Sequence, residues 1–346
     1  MKAYRLVFLF LPLIFLACDP QAEDDPGITD TFDREEMLAH WADNVISPAI
    51  AEYMAALGHL DMAAIRYQAD PTPSALDSVK VEFERSYLAW QRADLFAFRG
   101  AEASNLRERA NTYPVDTVRL LTETDARYQL PSTFDIQGFP ALDYLLYGTP
   151  DPAAHRDRIA RLVGELTGPA TSFHQAWRDQ SRDNYVESAG SSATASVDRT
   201  VNDYILWYEK YLRAGKIGIP AGVFSSDPMP MLAEAPYHGG LSKELFLESL
   251  DAAESFFTTS PGLKDYLDVL GVERDGQLLS ERIVAGFADA RAAAAPLDDD
   301  LATQVETDNT AMLQLYDALQ RNVILLKVDM LQALNISVDY VDADGD

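Results

Sequence analysis

The stretch Leu315-Tyr316-Asp317-Ala318-Leu319-Gln320-Arg321-Asn322-Val323-Ile324-Leu325-Leu326-Lys327-Val328-Asp329-Met330-Leu331-Gln332-Ala333-Leu334 decides the fold class. Leu315, Leu319, Val323, Leu326, Met330 and Leu334 step by four and three, so one face of a helix is apolar along its whole length. Such a face has to be covered by other elements. No stretch of the chain sustains period-two alternation with β-branched residues, so the covering elements are helices rather than a sheet.

Working outward, a second helix over 76–98 places Phe83, Tyr87, Trp90, Asp94 and Phe98 on one side, with Ser74 as its cap and Gly100 beyond its end. Further helices fall near 34–60, 155–178, 196–214, 242–258 and 280–294. The alanine-rich run 288–295 favours helix and close helix packing. Between these lie a long loop at 105–147, an irregular one at 216–234, and a Ser, Ala and Gly-rich surface loop at 187–195. Long apolar loops in a helical protein sit against the body and shape a site. The expectation is an all-α protein of two packed helical halves, 32–160 and 161–346, forming one domain.

Composition narrows the function. Among 346 residues, 28 Lys and Arg stand against 55 Asp and Glu, a net charge of −27 that repels a phosphate backbone and excludes nucleic-acid binding through a basic face. With 47% apolar residues the chain buries a sizeable core. One cysteine, Cys18, forms no internal disulfide and no cysteine cluster. It has another use. Lys2 and Arg5 precede an apolar run over 6–17, too short to span a bilayer as a helix, so 1–17 reads as a signal peptide. Phe15-Leu16-Ala17-Cys18 resembles a lipoprotein processing site, and 18–31 is an acidic, turn-rich tether. The expected location is the cell envelope, lipid-anchored to the outer membrane on its periplasmic or surface face.

The loop motifs carry a resemblance. Gly138-Phe139-Pro140-Ala141-Leu142-Asp143-Tyr144-Leu145-Leu146 resembles the Gly-x-His-x-x-Glu signature of the imelysin-like family. In order along the chain, Ala89-Trp90-Gln91-Arg92 looks like the family's tryptophan helix and Tyr113-Pro114-Val115-Asp116 like its following turn. Lys216-Ile217-Gly218-Ile219-Pro220 resembles its Lys-Leu-Gly-x-Pro element, Glu234-Ala235-Pro236-Tyr237 its Glu-Ser-Pro segment, and Asp342-Ala343-Asp344-Gly345-Asp346 its ending. The resemblance implies two helical bundles, export, association with bacterial iron uptake, and a metallopeptidase classification for some members. Iron or another divalent cation is the cofactor it implies, and iron-uptake components are the partners.

One departure decides the chemistry expected. The motif histidine is Pro140 and the motif glutamate is Asp143. Proline offers no side-chain donor or lone pair, so a metal keeps one ligand here at best. Pro140 suits the first turn of a helix, where Asp143 would meet the helix dipole. Alternatively, Asp143 binds a cation or small ligand at a pocket mouth. None of His40, His59, His155, His174 and His238 pairs with another at helical spacing. Glu36, His40 and Asp43 share a helix face that is as readily a solvated surface as a ligand set, His174 reads as core, and His238 could line a pocket. Trp41, Trp90, Trp177 and Trp207 read as core aromatics. No Gly-x-Ser-x-Gly, His-Glu-x-x-His or phosphate loop is present.

The site expected is a junction of the two halves built from Gly138, Pro140 and Asp143, with Lys216 balancing Asp143, Trp90 and Arg92 as the opposite floor, and His238 nearby. The leading reading is an exported lipoprotein that binds a ligand or iron-related cargo without catalysis. The competing readings are a zinc-dependent peptidase and a surface structural or adhesion lipoprotein.

Overall fold

A computed structural model describes residues 31–97, 105–123 and 125–340. The signal peptide, Cys18, most of the tether and the Asp342–Asp346 ending lie outside the described residues. The body from Phe32 onward forms one compact unit.

The chain begins with α1, a continuous rod over 34–69 made of Arg34–His40, a π-helical stretch Trp41–Ile46, and Ser47–Ala69. Asp33 caps it by accepting the Glu36 N–H at 2.9 Å. Helix α2, Pro73–Asp94, follows a short turn. Its cap is Thr72 rather than Ser74, because the Thr72 hydroxyl accepts the Ala75 N–H and Pro73 then takes the first helical position. The long loop contains α3, Leu106–Asn111, α4, Thr117–Thr122, and α5, Gly138–Asp143, which runs on through a π-helical turn Tyr144–Gly148. Next comes α6, a rod over 156–187 made of Arg156–Ala176, Trp177–Ser181 and Arg182–Glu187. Then α7 spans 196–218 as Ser196–Leu206 and a π-helical Trp207–Gly218. The rest comprises α8, Ser242–Thr258, α9, Leu263–Leu270, α10, Leu279–Ala294, and α11 over 301–333, made of Leu301–Ile324, Leu325–Met330 and Leu331–Ala333.

Among the described residues the strands amount to one two-residue hairpin, Glu273–Arg274 with Gln277–Leu278. The fold is all-α. The face of α11 that opens the sequence reading is buried throughout: Leu315, Leu319, Val323, Leu326, Met330 and Leu334 are all at most 5% exposed. Among the described residues, no helix is long and apolar enough to cross a membrane.

Two groups of helices pack around this core. In one, α1 lies between α2 and α6, with α3 and α5 against α6. In the other, α11 packs on α7 and α10, and α8 joins α7, α9 and α10. Helix α2 meets α8, so these two form the seam. A division at 160/161 cuts through Arg156–Ala176, a helix packed along α1, so the two groups do not separate there. The four tryptophans are core residues as expected, none more than 4% exposed. His174 is only partly buried, on a turn of α6 facing outward, and is not a core residue.

Candidate functional site

Helix α5 begins on a glycine for a steric reason. Gly138 has φ +76°, and a Cβ there would overlap the backbone carbonyl of Ala110 in α3. This close approach brings α5 against α3 and α6 and buries every residue from Gly138 to Asp143. Pro140 sits in the first turn, as its missing N–H favours. Asp143 does not: it is the last residue of α5 and enters the π-helical turn, so the helix dipole is not its stabiliser.

Its partner is another segment. The Asp143 carboxylate is 0% exposed and accepts the backbone N–H of Tyr237 at 3.0 Å, with the His238 N–H directed at it as well. Its other oxygen, Oδ1, has no hydrogen-bond partner among the described residues. Burial pushes this carboxyl up to about 7, against the two backbone N–H groups that lower it and with Asp300 raising it further. Asp143 is therefore an enclosed acid that anchors the 234–238 segment, not a charge at a pocket mouth.

The same segment carries the second half of the site. Lys216, on the last turn of α7 rather than in an irregular loop, pairs with Glu234 and donates to Gln91 Oε1 at 2.7 Å. Glu234 also accepts from Asn111 Nδ2 at 2.6 Å and from Gln91 Nε2 at 3.2 Å. Ser249 Oγ donates to Gln91 Oε1 at 2.9 Å, and the Tyr87 hydroxyl donates to Asn111 Oδ1 at 2.6 Å. Five elements thus meet in one buried polar ladder: α2 gives Tyr87 and Gln91, α3 Asn111, α7 Lys216, α8 Ser249, and the connecting segment Glu234. Lys216 and Glu234 have side chains 5% and 2% exposed, so their charges are compensated within the protein. Tyr87 and Tyr113 are held protonated, first by desolvation and then by the Glu234 carboxylate. Lys216 therefore balances Glu234, not Asp143.

Toward solvent the ladder is flanked by aromatic and ionisable groups. Tyr87 stacks on Phe139 at 4.4 Å, with Phe83 against both. The His238 ring Nε2 lies 3.0 Å from Glu84 Oε1, which also accepts from the Tyr147 hydroxyl at 3.0 Å. Lys80 sits 4.4 Å above the Tyr147 ring. His238 therefore lies at the rim, facing a carboxylate of α2.

Trp90 and Arg92 do not form a floor opposite Asp143. Trp90 is fully buried against Tyr53, and Arg92 is 49% exposed, held by Glu52 and Glu248. The residue of that motif that enters the ladder is Gln91, four residues after Tyr87 and so on the same side of α2. Glu234, Gln91, Asn111, Ser249 and Glu84 were not singled out from the sequence, although Gln91 and Glu234 lie inside quoted motif segments.

The donor set does not fit a metal ion. Pro140 supplies nothing, Asp143 is taken by backbone N–H groups, and among the described residues no three His, Cys, Asp or Glu side chains gather as ligands. His40 bonds Thr259 Oγ1 and Asn44, while Asp43 pairs with Arg182, so that helix face is not a ligand set.

Iron-regulated protein A of Synechococcus elongatus is 25% identical over 175 residues, 49% of each chain, so the chain spans about half the length of the curated relative it matches. The crystal structure of an imelysin-like protein from Psychrobacter arcticum superposes with a TM-score of 0.70 at 19% identity, over 89% of this chain and 97% of that one. A structure described as that of an iron-regulated protein A precursor from Parabacteroides distasonis gives 0.72 at 11% identity, over 87% and 95%. Both show a shared fold. The imelysin family model (peptidase M75) matches residues 46–326, which takes in the polar ladder and most of the body, and the chain belongs to the imelysin family.

Proposed function

We propose that this chain is an exported imelysin-family lipoprotein, anchored through Cys18, that binds an iron-related cargo at the rim formed by Glu84, Tyr147 and His238 and does not hydrolyse peptides. The observation that carries the reading is the state of the family motif: position 140 is proline, and the Asp143 carboxylate is enclosed and occupied by the backbone of 237–238. A metallopeptidase needs about three protein ligands and an open coordination position for its water. Among the described residues this motif's single acid belongs to no set of three ligand side chains.

The ladder then serves as a support. Lys216 of α7, through Glu234, and Asp143 of α5 hold the two ends of the 234–238 segment, and so fix where His238 meets Glu84. The names of the Synechococcus relative and the Parabacteroides structure, both iron-regulated protein A, favour iron acquisition as the setting.

The test is proteolysis and cargo binding together. The purified chain, with and without added zinc, is incubated with unfolded casein, and ferric citrate and haem are titrated by fluorescence quenching. The reading expects no cleavage above buffer and saturable binding of one iron-bearing probe, weakened at least tenfold by Glu84→Gln. Cleavage that a chelator abolishes would establish the zinc peptidase instead, and the absence of any saturable probe with a tight protein partner would favour a structural or adhesion role.

A further inference from the structure

A second cleft lies apart from the polar ladder, between α10 and α11, with a volume of about 390 Å³. Arg274, Arg282 and Arg321 line it, with Asp289 as its one acid among the described residues. In a chain with 55 acidic and 28 basic residues, three arginines on one groove run against the composition. Arg274 pairs with Asp329 and Arg282 with Asp275. Arg321, exposed on α11, has no carboxylate within ion-pair distance among the described residues.

The groove floor is made of small residues, Ala285, Gly286 and Ala318, with Asn322 below them. Asn322 is 0% exposed, and among the described residues neither its amide nitrogen nor its oxygen has a partner at full hydrogen-bond geometry. The Tyr208 hydroxyl is close enough to interact with it. A Cβ on residue 286 would overlap the amide oxygen, so glycine is required for this amide to lie under the groove. An arginine fork without a carboxylate of its own, in a groove floored by small residues, presents its N–H donors to an incoming oxyanion. The groove continues past Ala318 into an adjoining space of about 360 Å³ flanked by Asp289, Asp317 and Gln314. The two acids repel a second unscreened anionic group and attract a hydroxyl or amino group.

We propose that this groove binds a small hydroxy- or amino-carboxylate, its carboxylate on the Arg321 guanidinium on the side lined by Arg282, its hydroxyl or amino group toward Asp289 and Asp317. The planar arginine fork matches a carboxylate with two parallel hydrogen bonds, and the available volume is that of small-molecule sites generally.

The test is isothermal titration of the purified full chain with glycolate, L-alanine and inorganic phosphate at low ionic strength. At least one of the two carboxylates is expected to bind tenfold or more tightly than phosphate. Arg321→Gln, at an exposed position that leaves the core intact, is expected to weaken that binding tenfold or more. Gly286→Ala, which drives a methyl group onto the Asn322 amide, is expected to weaken it as well, with the circular dichroism spectrum unchanged. Heat from neither carboxylate, phosphate binding as tightly as they do, or unchanged affinity in Arg321→Gln would each overturn the proposal. All three readouts are independent of the Glu84 rim.

Discussion

Asp143→Asn should change how stability depends on pH, by an amount that follows from the geometry around α5. In the fold the Asp143 carboxyl is pushed up to about 7 by burial, whereas in the unfolded chain it titrates near 3.9. The protonated form is therefore favoured by folding. Its contribution is full below about pH 4 and is lost as pH rises through 7, because the folded state then has to ionise a buried acid or the unfolded state ionises alone. With these two values, stability from this one group falls by about 3 kcal/mol between pH 5 and pH 8. Asparagine keeps the shape, its Oδ1 still accepts the Tyr237 N–H, and it does not titrate. Urea denaturation of the two proteins at pH 5 and pH 8, followed by circular dichroism, isolates the effect, since the other 54 acidic residues are common to both. The variant should gain about 3 kcal/mol on the parent from the lower to the higher pH. A difference that stays constant within about 0.5 kcal/mol, or moves the other way, would refute the enclosed-acid description of Asp143.

Lys216→Met leaves Glu234 buried without its cation and should destabilise by about 3–5 kcal/mol, while adding Glu234→Leu should restore much of the loss, as a double-mutant denaturation cycle would show. Gly138→Ala places a methyl group on the Ala110 carbonyl at positive φ, and a loss of at least about 2 kcal/mol in chemical denaturation is expected. Tyr87→Phe removes the donor to Asn111 and should lower stability by about 1–2 kcal/mol in the same assay. Arg92→Ala, at a half-exposed ion pair, should shift stability by less than about 1 kcal/mol and leave cargo affinity unaltered in the fluorescence titration.

The helical class was legible because the apolar steps of 315–334 survive into the structure residue by residue. The π-helical stretches were not. Each inserts extra residues per turn, as at Trp207–Gly218, and carries Lys216 to a face and an element that a regular 3.6-residue repeat does not predict. The site was half legible. Motif position selected the right segments, but the choice within Trp90-Gln91-Arg92 went to the bulkier and the charged side chain, whereas helical phase from Tyr87 points to Gln91. The pairing of Lys216 with Glu234, and of Asp143 with the backbone of Tyr237, depends on how an irregular loop folds back between two helix groups. Spacing along the chain contains no signal for that. The boundary at 160/161 had no local signal of its own, and packing of α6 on α1 continues the helix straight through it.

The most direct measurement of the central claim is metal retention. The chain is stripped with chelator, equilibrated with iron, zinc, copper and calcium, dialysed, and its metal content determined. The account predicts less than about 0.1 equivalent of any ion held at the motif, since a structural or catalytic site needs about three to four ligands and Pro140 and the enclosed Asp143 supply no such set. Stoichiometric retention that disappears in Asp143→Ala but survives in Glu84→Gln would contradict it and return the motif to metal chemistry.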